Sequence, residues 1–401
     1  MLLKIYLSFF LKERAKKADA AGMLREKKEN FMEFRCEKNE LLRAVNTVSR
    51  AAAAKSPMAV LEGILVEAGA ETVRFTGYDL KRGIHTDAEA AVSEPGSIVL
   101  GARIFENIVR SLPNGDVTVR TSDGNTALIT CQNSEFSIIG TDFSDYPELP
   151  GVESQAGVSL PRSILSSMIR QTLFAVSDNE ARPVYTGAMF EVEKGCLTVV
   201  AVDGYRLALR REKREEEPGE YSFIVPGRAL SDLEKLCADA EGNVRITLGD
   251  KHIRFTMGKT VLISRRLEGE FLNYHKAVPA MFSNYLKAER GALQRAVERV
   301  SLIIDDKVKN PVRCTFERDS VRMVCSTALG KAEDVCPLTG DGGGMEIGFN
   351  NRYLLDALKA APAEDLTVCL NGSLAPCVIR PAGDEDDSFL YMILPVRLKA
   401  E

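Results

Sequence analysis

Alternation of apolar and polar residues with a period of two marks three stretches of the chain, and the three resemble one another. From Pro57 the sequence reads P-M-A-V-L-E-G-I-L-V and continues as V-R-F-T-G-Y-D-L from Val73. From Pro183 it reads P-V-Y-T-G-A-M-F-E-V, then L-T-V-V-A-V-D-G-Y-R-L from Leu197; from Pro311 it reads P-V-R-C-T-F-E, then V-R-M-V-C-S from Val321. The alternation and the β-branched content predict paired strands in each stretch. Behind each lies a second landmark: I-V-L-G-A-R-I-F-E-N-I-V-R-S-L from Ile98, F-I-V-P-G-R-A-L-S-D-L-E-K-L from Phe223, and I-G-F-N-N-R-Y-L-L-D-A-L-K-A from Ile347. Each reads as a short strand, a turn and a helix with apolar residues at i, i+3, i+4 and i+7, with a further strand at 117–119, 244–247 and 366–370. Arg103, Arg228 and Arg352 occupy the same place in the three landmarks, 125 and 124 residues apart.

Each unit opens with an amphipathic stretch, at 38–53, 161–177 and 289–304, predicted to be helical. The repeat is therefore helix, strands, helix, strands, and self-similarity at a fixed period points to one supersecondary unit used three times. F-S-D-Y-P at Phe143 and F-L-N-Y at Phe271 close the first two copies, and the polar stretches after them read as linkers. The expected domains are 32–150, 158–279 and 280–401, preceded by an extension at 1–31. A length of 401 residues fits two or three domains.

That extension has its own character. Residues 1–11 are apolar apart from Lys4 and Ser8, and four basic residues follow within 12–17. The apolar run is too short to span a bilayer, and no small-residue cleavage site follows it directly, as a secretory signal would require. The expectation is an upstream-extended start with Met32 as the natural first residue, or a short tail.

The formal charge of -5 argues against a nucleic-acid partner until its distribution is considered. Over the six helical stretches 38–55, 102–112, 161–177, 227–240, 289–304 and 351–360 there are 15 Lys or Arg against 8 Asp or Glu. The helices thus carry +7 and everything else -12. Pseudo-symmetric repeats would gather those cations on one surface, which would hold DNA by its phosphates without reading bases. The acidic remainder would repel DNA from the other faces.

Nine cysteines lie between Cys36 and Cys377 with no CxxC pair, so they read as reduced core residues of a cytoplasmic protein. His85, His252 and His275 read as ordinary surface or core histidines, and no metal or cofactor is expected. Asp203 and Arg206 in D-G-Y-R are the best candidates for catalysis, but no nucleophile motif, metal-ligand spacing or nucleotide loop accompanies them. A turn between strands explains Asp203-Gly204. The glycine-rich 341–344 lacks the Lys-Ser/Thr of a phosphate loop and reads as a flexible connection.

Taken together, M-E-F-R-C-E-K-N-E-L-L at Met32, A-V-D-G-Y-R-L-A at Ala201, E-G-E-F-L-N-Y at Glu268, F-N-N-R-Y-L-L-D-A-L at Phe349 and L-P-V-R-L at Leu394 resemble the β subunit of bacterial DNA polymerase III, the sliding clamp family. The resemblance implies an α+β fold of three repeated clamp domains, each with two helices packed on two small antiparallel sheets, the chain forming half of a closed ring. It implies a processivity factor rather than an enzyme: a head-to-tail homodimer that encircles double-stranded DNA without sequence preference. It also implies binding of the replicative polymerase, the clamp loader, repair polymerases and ligase-type proteins through short motifs. A ring-shaped scaffold of the same fold outside replication is the alternative, and loss of the helix arginines would be its mark.

By the same resemblance the DNA surface includes Lys55, Arg103, Arg110, Arg182 and Arg228, to which helix position adds Arg43, Arg170, Arg295 and Arg352. The dimer contact would join Phe136 and Ile138 to Leu302 and Ile303 of the other copy. The partner-peptide pocket, between the second and third domains, would draw on Tyr185, Val202, Gly204, Tyr205, Arg206, Leu207, Leu272, Lys276 and Ala277. Leu374, Pro376, Met392, Ile393, Leu394, Pro395, Val396 and Arg397 would complete it. Tyr205, Val202, Leu272 and Tyr185 depart from the residues commonest in the family, which bears on the pocket's shape and peptide preference.

Overall fold

The computed structural model describes residues 31–398 except 155–156, 194, 215–218, 239, 306–309 and 384–386. The extension expected at 1–31 lies, up to residue 30, outside the described residues. The chain divides into two compact units, one ending at Leu149 and one starting at Pro150.

In the first unit, α1 (Lys38–Ser49) and α2 (Ala102–Ser111) pack against each other. One antiparallel sheet takes the strands in the order Ala91–Glu94, Glu33–Glu37, Asp116–Ser122, Thr126–Cys131, Ser134–Ile139. The other runs Arg82–Glu89, Thr72–Tyr78, Gly63–Ala68, Gly96–Gly101. Side chains alternate along the strands: in Glu33–Glu37, a strand the sequence reading did not include, Phe34 and Cys36 turn into the core and their neighbours outward.

The second unit holds two more copies of the pattern. α3 (Arg162–Arg170) packs on α4 (Gly227–Cys237), and α5 (Arg290–Ser301) on α6 (Asn351–Ala360). Gly157–Pro161, Asn243–Leu248, His252–Met257 and Thr260–Arg265 pair in that order. The remaining strands form one sheet shared by both copies. Tyr221–Pro226, Gly187–Glu193, Cys196–Val202 and Arg206–Lys213 belong to the second repeat, and Phe389–Ile393, Cys377–Pro381, Asp365–Leu370, Asn284–Glu289, Gly330–Phe349 and Val312–Thr327 to the third. The seam is antiparallel, with Arg206 opposite Ile393 and Arg210 opposite Phe389.

The helices expected to open the repeats instead each follow a short strand, Glu33–Glu37, Gly157–Pro161 and Asn284–Glu289, and they stop short of the predicted ends. α3 ends at Arg170, where the Thr172 hydroxyl donates to the Met168 carbonyl at 2.8 Å and the chain tightens into a 3-10 turn at Leu173–Ala175. Glu37 and Glu289 start α1 and α5 alike, each carboxylate accepting two backbone N–H groups. The stretches at Pro57 and Pro183 do not begin as strands: Ala59–Glu62 and Pro183–Thr186 are 3-10 turns, and pairing starts only at Gly63 and Gly187. Proline has no N–H to give a ladder.

The glycine-rich 341–344 is a further correction, since it lies inside the strand Gly330–Phe349 and is not a connection between elements. Arg318 pairs with Asp341 and Phe316 with Met345, so three glycines bulge opposite the single residue Glu317. Gly342 must stay small there, because a Cβ would lie 2.5 Å from the Phe316 carbonyl oxygen. Eight of the nine cysteines are buried and all are free. Burial pushes the thiols of Cys36 and Cys314 up to about 12 and that of Cys237 to about 11, so they stay protonated and inert.

Candidate partner groove and basic helix faces

Arg103, Arg228 and Arg352 are each the second residue of their helix, α2, α4 and α6, and all three are exposed. Local sequence places them so: each follows a strand and a tight entry into the helix, and the apolar face of the helix is turned to the core. Arg103 also lines an open cleft of about 460 Å³ with Glu62, Ile104, Asn107 and Thr141. Lys55 and Arg182 are exposed in the segments that follow α1 and α3.

The remaining cations in the set are exposed but paired. Arg43 binds Glu40 at 2.6 Å, Arg170 binds Glu234 at 3.1 Å, Arg295 lies 3.6 Å from Glu289, and Arg110 pairs with Glu106. Arg352 lies 3.9 Å from Asp356. Solvent-exposed pairs of this kind contribute only about 0–1 kcal/mol each, so a phosphate can displace the carboxylate at little cost.

The residues expected to form the partner pocket fall into three layers. Val202, Leu207 and Met392 are buried in one apolar cluster that spans the second and third repeats, with Tyr185 and Leu272 packed against it. Ile393 is buried beside them, opposite Arg206 on the seam. Tyr205, Lys276, Leu374, Val396 and Arg397 are exposed, and Ala277, Pro376, Leu394 and Pro395 are half-buried. The C-terminal segment is tied down by two backbone bonds: Leu394 N–H donates to the Tyr205 carbonyl at 2.9 Å, and Val396 N–H to that of Gly348 at 2.8 Å.

Arg206 is the keystone of the junction. Asp203 closes the turn before it by accepting from the N–H groups of Tyr205 and Arg206 at 2.9 and 3.0 Å, with Gly204 at φ 94°. This is the turn expected for D-G-Y-R. The Arg206 guanidinium then donates to Asp203 at 2.9 Å, to Asp356 of the third repeat at 2.6 Å and to the Phe174 carbonyl at 2.5 Å. Its carbon lies 4.5 Å from the ring centre of Tyr353 and 5.2 Å from that of Phe174. With 8% of its surface exposed, Arg206 ties the second repeat to the third.

Sequence reasoning missed Phe174, Tyr353 and Asp356. Tyr353 stacks on Tyr205, ring centres 6.3 Å apart, and burial, aided by Asp203, raises its hydroxyl pKa. The available signal was position: Tyr353 and Asp356 lie one and four residues beyond Arg352 on the same helix.

Beside the groove the one-turn helix Tyr274–Ala277 is fixed by Asn273, whose side chain accepts from Lys276 N–H, and by the buried Tyr274, whose hydroxyl donates to Glu191. Burial and the Glu191 carboxylate together raise the Tyr274 pKa. Glu191, Glu193 and His275 bring metal-ligand atoms within 4.8 Å of one another. Glu191 accepts from the Tyr274 hydroxyl and lies 3.5 Å from His275.

Phe136 and Ile138 lie on Ser134–Ile139, the outer strand of its sheet, where Ile139 is 84% exposed. Leu302, 83% exposed, and the half-buried Ile303 follow directly on α5. Val312–Thr327 is likewise the outer strand of its sheet.

Three repeats, each of two helices on antiparallel sheets, define an α+β clamp fold. The family models for the N-terminal, central and C-terminal domains of the DNA polymerase III beta subunit match residues 32–150, 159–273 and 275–397. The chain belongs to that family and is a DNA sliding clamp. It is 32% identical to the beta sliding clamp of Staphylococcus aureus over 377 residues, which cover 92% of this chain and all of that one. The sliding clamp of Bacillus subtilis superposes with a TM-score of 0.87 at 29% identity, and that of Pseudomonas aeruginosa, bound to griselimycin, with 0.86 at 27%. Both alignments cover 92% of this chain and 100% of the other. Among the described residues no helix is long and apolar enough to cross a membrane.

Proposed function

We propose that two copies of this chain close head to tail around duplex DNA in the bacterial cytoplasm and carry the replicative polymerase without themselves catalysing a reaction. The domains run 32–150, 158–279 and 280–401. The observation that carries this reading is the shared register of Arg103, Arg228 and Arg352, exposed at the second position of one helix in every repeat. A cationic surface repeated in this way meets phosphates without reading bases, and Arg43, Lys55, Arg110, Arg170, Arg182 and Arg295 extend it. Retention of these arginines disfavours a scaffold that has lost DNA.

Phe136 and Ile138 meet Leu302 and Ile303 of a second copy, a heterologous contact that a closed ring requires. The apolar cluster at the second and third repeats, with its exposed rim, takes short motifs of the polymerase, clamp loader, repair polymerases and ligase-type proteins as anchor residues in a pocket.

The test is retention of the loaded protein on circular and linearised plasmid. Encirclement predicts a complex that persists on circles and is lost from open ends, and that Arg103→Glu with Arg228→Glu shortens on circles. Equal retention on both forms would refute encirclement, since phosphate binding alone is indifferent to ends.

A further inference from the structure

Two carboxylates and an imidazole converge in the second compact unit, where Glu191, Glu193 and His275 hold their ligand atoms within 4.8 Å of one another. The backbone dictates the pair of carboxylates. Glu191 and Glu193 stand two apart on Gly187–Glu193, so their side chains leave the same side of the sheet while Val192 between them is buried. The imidazole comes from the one-turn helix Tyr274–Ala277, with Tyr274 sunk in the apolar cluster and Asn273 capping the turn. Fixed neighbours thus hold the exposed His275 at 3.5 Å from Glu191.

We infer that these three side chains form a binding site for a divalent transition-metal ion, and that the ion is zinc. Carboxylate and imidazole are both ligands that zinc takes in sites with three protein donors. Magnesium and calcium prefer all-oxygen shells, so the imidazole selects against them. The Tyr274 hydroxyl donates to Glu191, and a ligating carboxylate is characteristically oriented by such a bond. Cys196 lies opposite Glu193 on the next strand and on the same side of the sheet, and it is the one cysteine of nine that is not buried. A soft donor therefore borders the cluster, which favours zinc further. Arg211, the guanidinium that reaches toward the Tyr274 hydroxyl, pairs with Asp387 at 2.8 Å. Bound here, the ion ties the helix Tyr274–Ala277 to a strand of the second repeat, just ahead of the third repeat's first strand, Asn284–Glu289.

The experiment titrates zinc by calorimetry into the untagged full chain, stripped with a chelator, and into its His275→Gln and Glu193→Gln variants. The parent should bind one ion per chain, and each variant should bind it at least about tenfold more weakly, a loss that even a residue supporting a ligand can cause. Zinc should also raise the parent's melting temperature and leave that of each variant where it stands without the ion. A parent that binds no zinc, or variants that bind it as tightly as the parent, would overturn the inference. Displacement of the zinc by an equal concentration of magnesium would overturn the choice of ion and the role of the imidazole with it.

Discussion

The first and second repeats build the same turn and use it differently. Asp79 accepts from the N–H groups of Lys81 and Arg82 at 2.9 and 2.8 Å, as Asp203 does from Tyr205 and Arg206. Arg82 pairs with Asp79 at 3.3 Å and donates to the Arg50 carbonyl at 2.6 Å; Arg206 pairs with Asp203 and donates to the Phe174 carbonyl. The difference lies in the next residue. Gly83 is so closely covered that a Cβ would sit 2.2 Å from Leu149 of its own unit, whereas Leu207 extends into a cluster that includes Met392 of the third repeat. One copy of the turn is stoppered by its own chain, and the other recruits a neighbour and joins the apolar cluster of the second and third repeats.

The largest separation between the two turns should appear when each arginine is removed. Arg206→Ala strands two carboxylates and a carbonyl at a buried junction and should cost ~3–5 kcal/mol, against ~1–3 kcal/mol for Arg82→Ala. Urea unfolding of both variants compares them, and equal losses would show that the contacts of Arg206 with the third repeat add nothing. A mid-sized effect is expected from Gly83→Leu, which places the second repeat's residue in the first and should cost ~1–3 kcal/mol through overpacking. Leu149→Ala in the same chain should recover most of that loss in a thermal melt; additive losses would break the assignment of Leu149 as the stopper.

The smallest effect concerns the turn's second residue, Leu80 at φ 69° where the other copy has Gly204. Leu80→Gly should stabilise by ~0.5–1 kcal/mol and Gly204→Ala destabilise by ~1 kcal/mol, since a side chain strains the left-handed region. Opposite shifts of melting temperature are the expected result, and shifts of the same sign would contradict it.

The repeat, the helices and the Asp203 turn were legible because they depend on local periodicity and turn chemistry. The seam between Arg206–Lys213 and Phe389–Ile393 was not, because strand partners far apart in sequence leave no periodic trace. Arg206 was named for the pocket, but its burial depends on Phe174, Tyr353 and Asp356 arriving from two other elements. The three-glycine bulge misled for a related reason. Glycine reports backbone freedom, and a bulge within a ladder uses that freedom as much as a loop does.

The shared sheet also sets a timetable for synthesis. Arg211 and its ion-pair partner Asp387 are separated by 176 residues, so the strand carrying Leu207 and Leu209 is made well before the strand that covers its flank. At ~5–20 residues per second that interval lasts roughly 9–35 s. Through it the nascent second repeat carries an open edge that any passing strand could extend, until Phe389–Ile393 pairs along it and seals it.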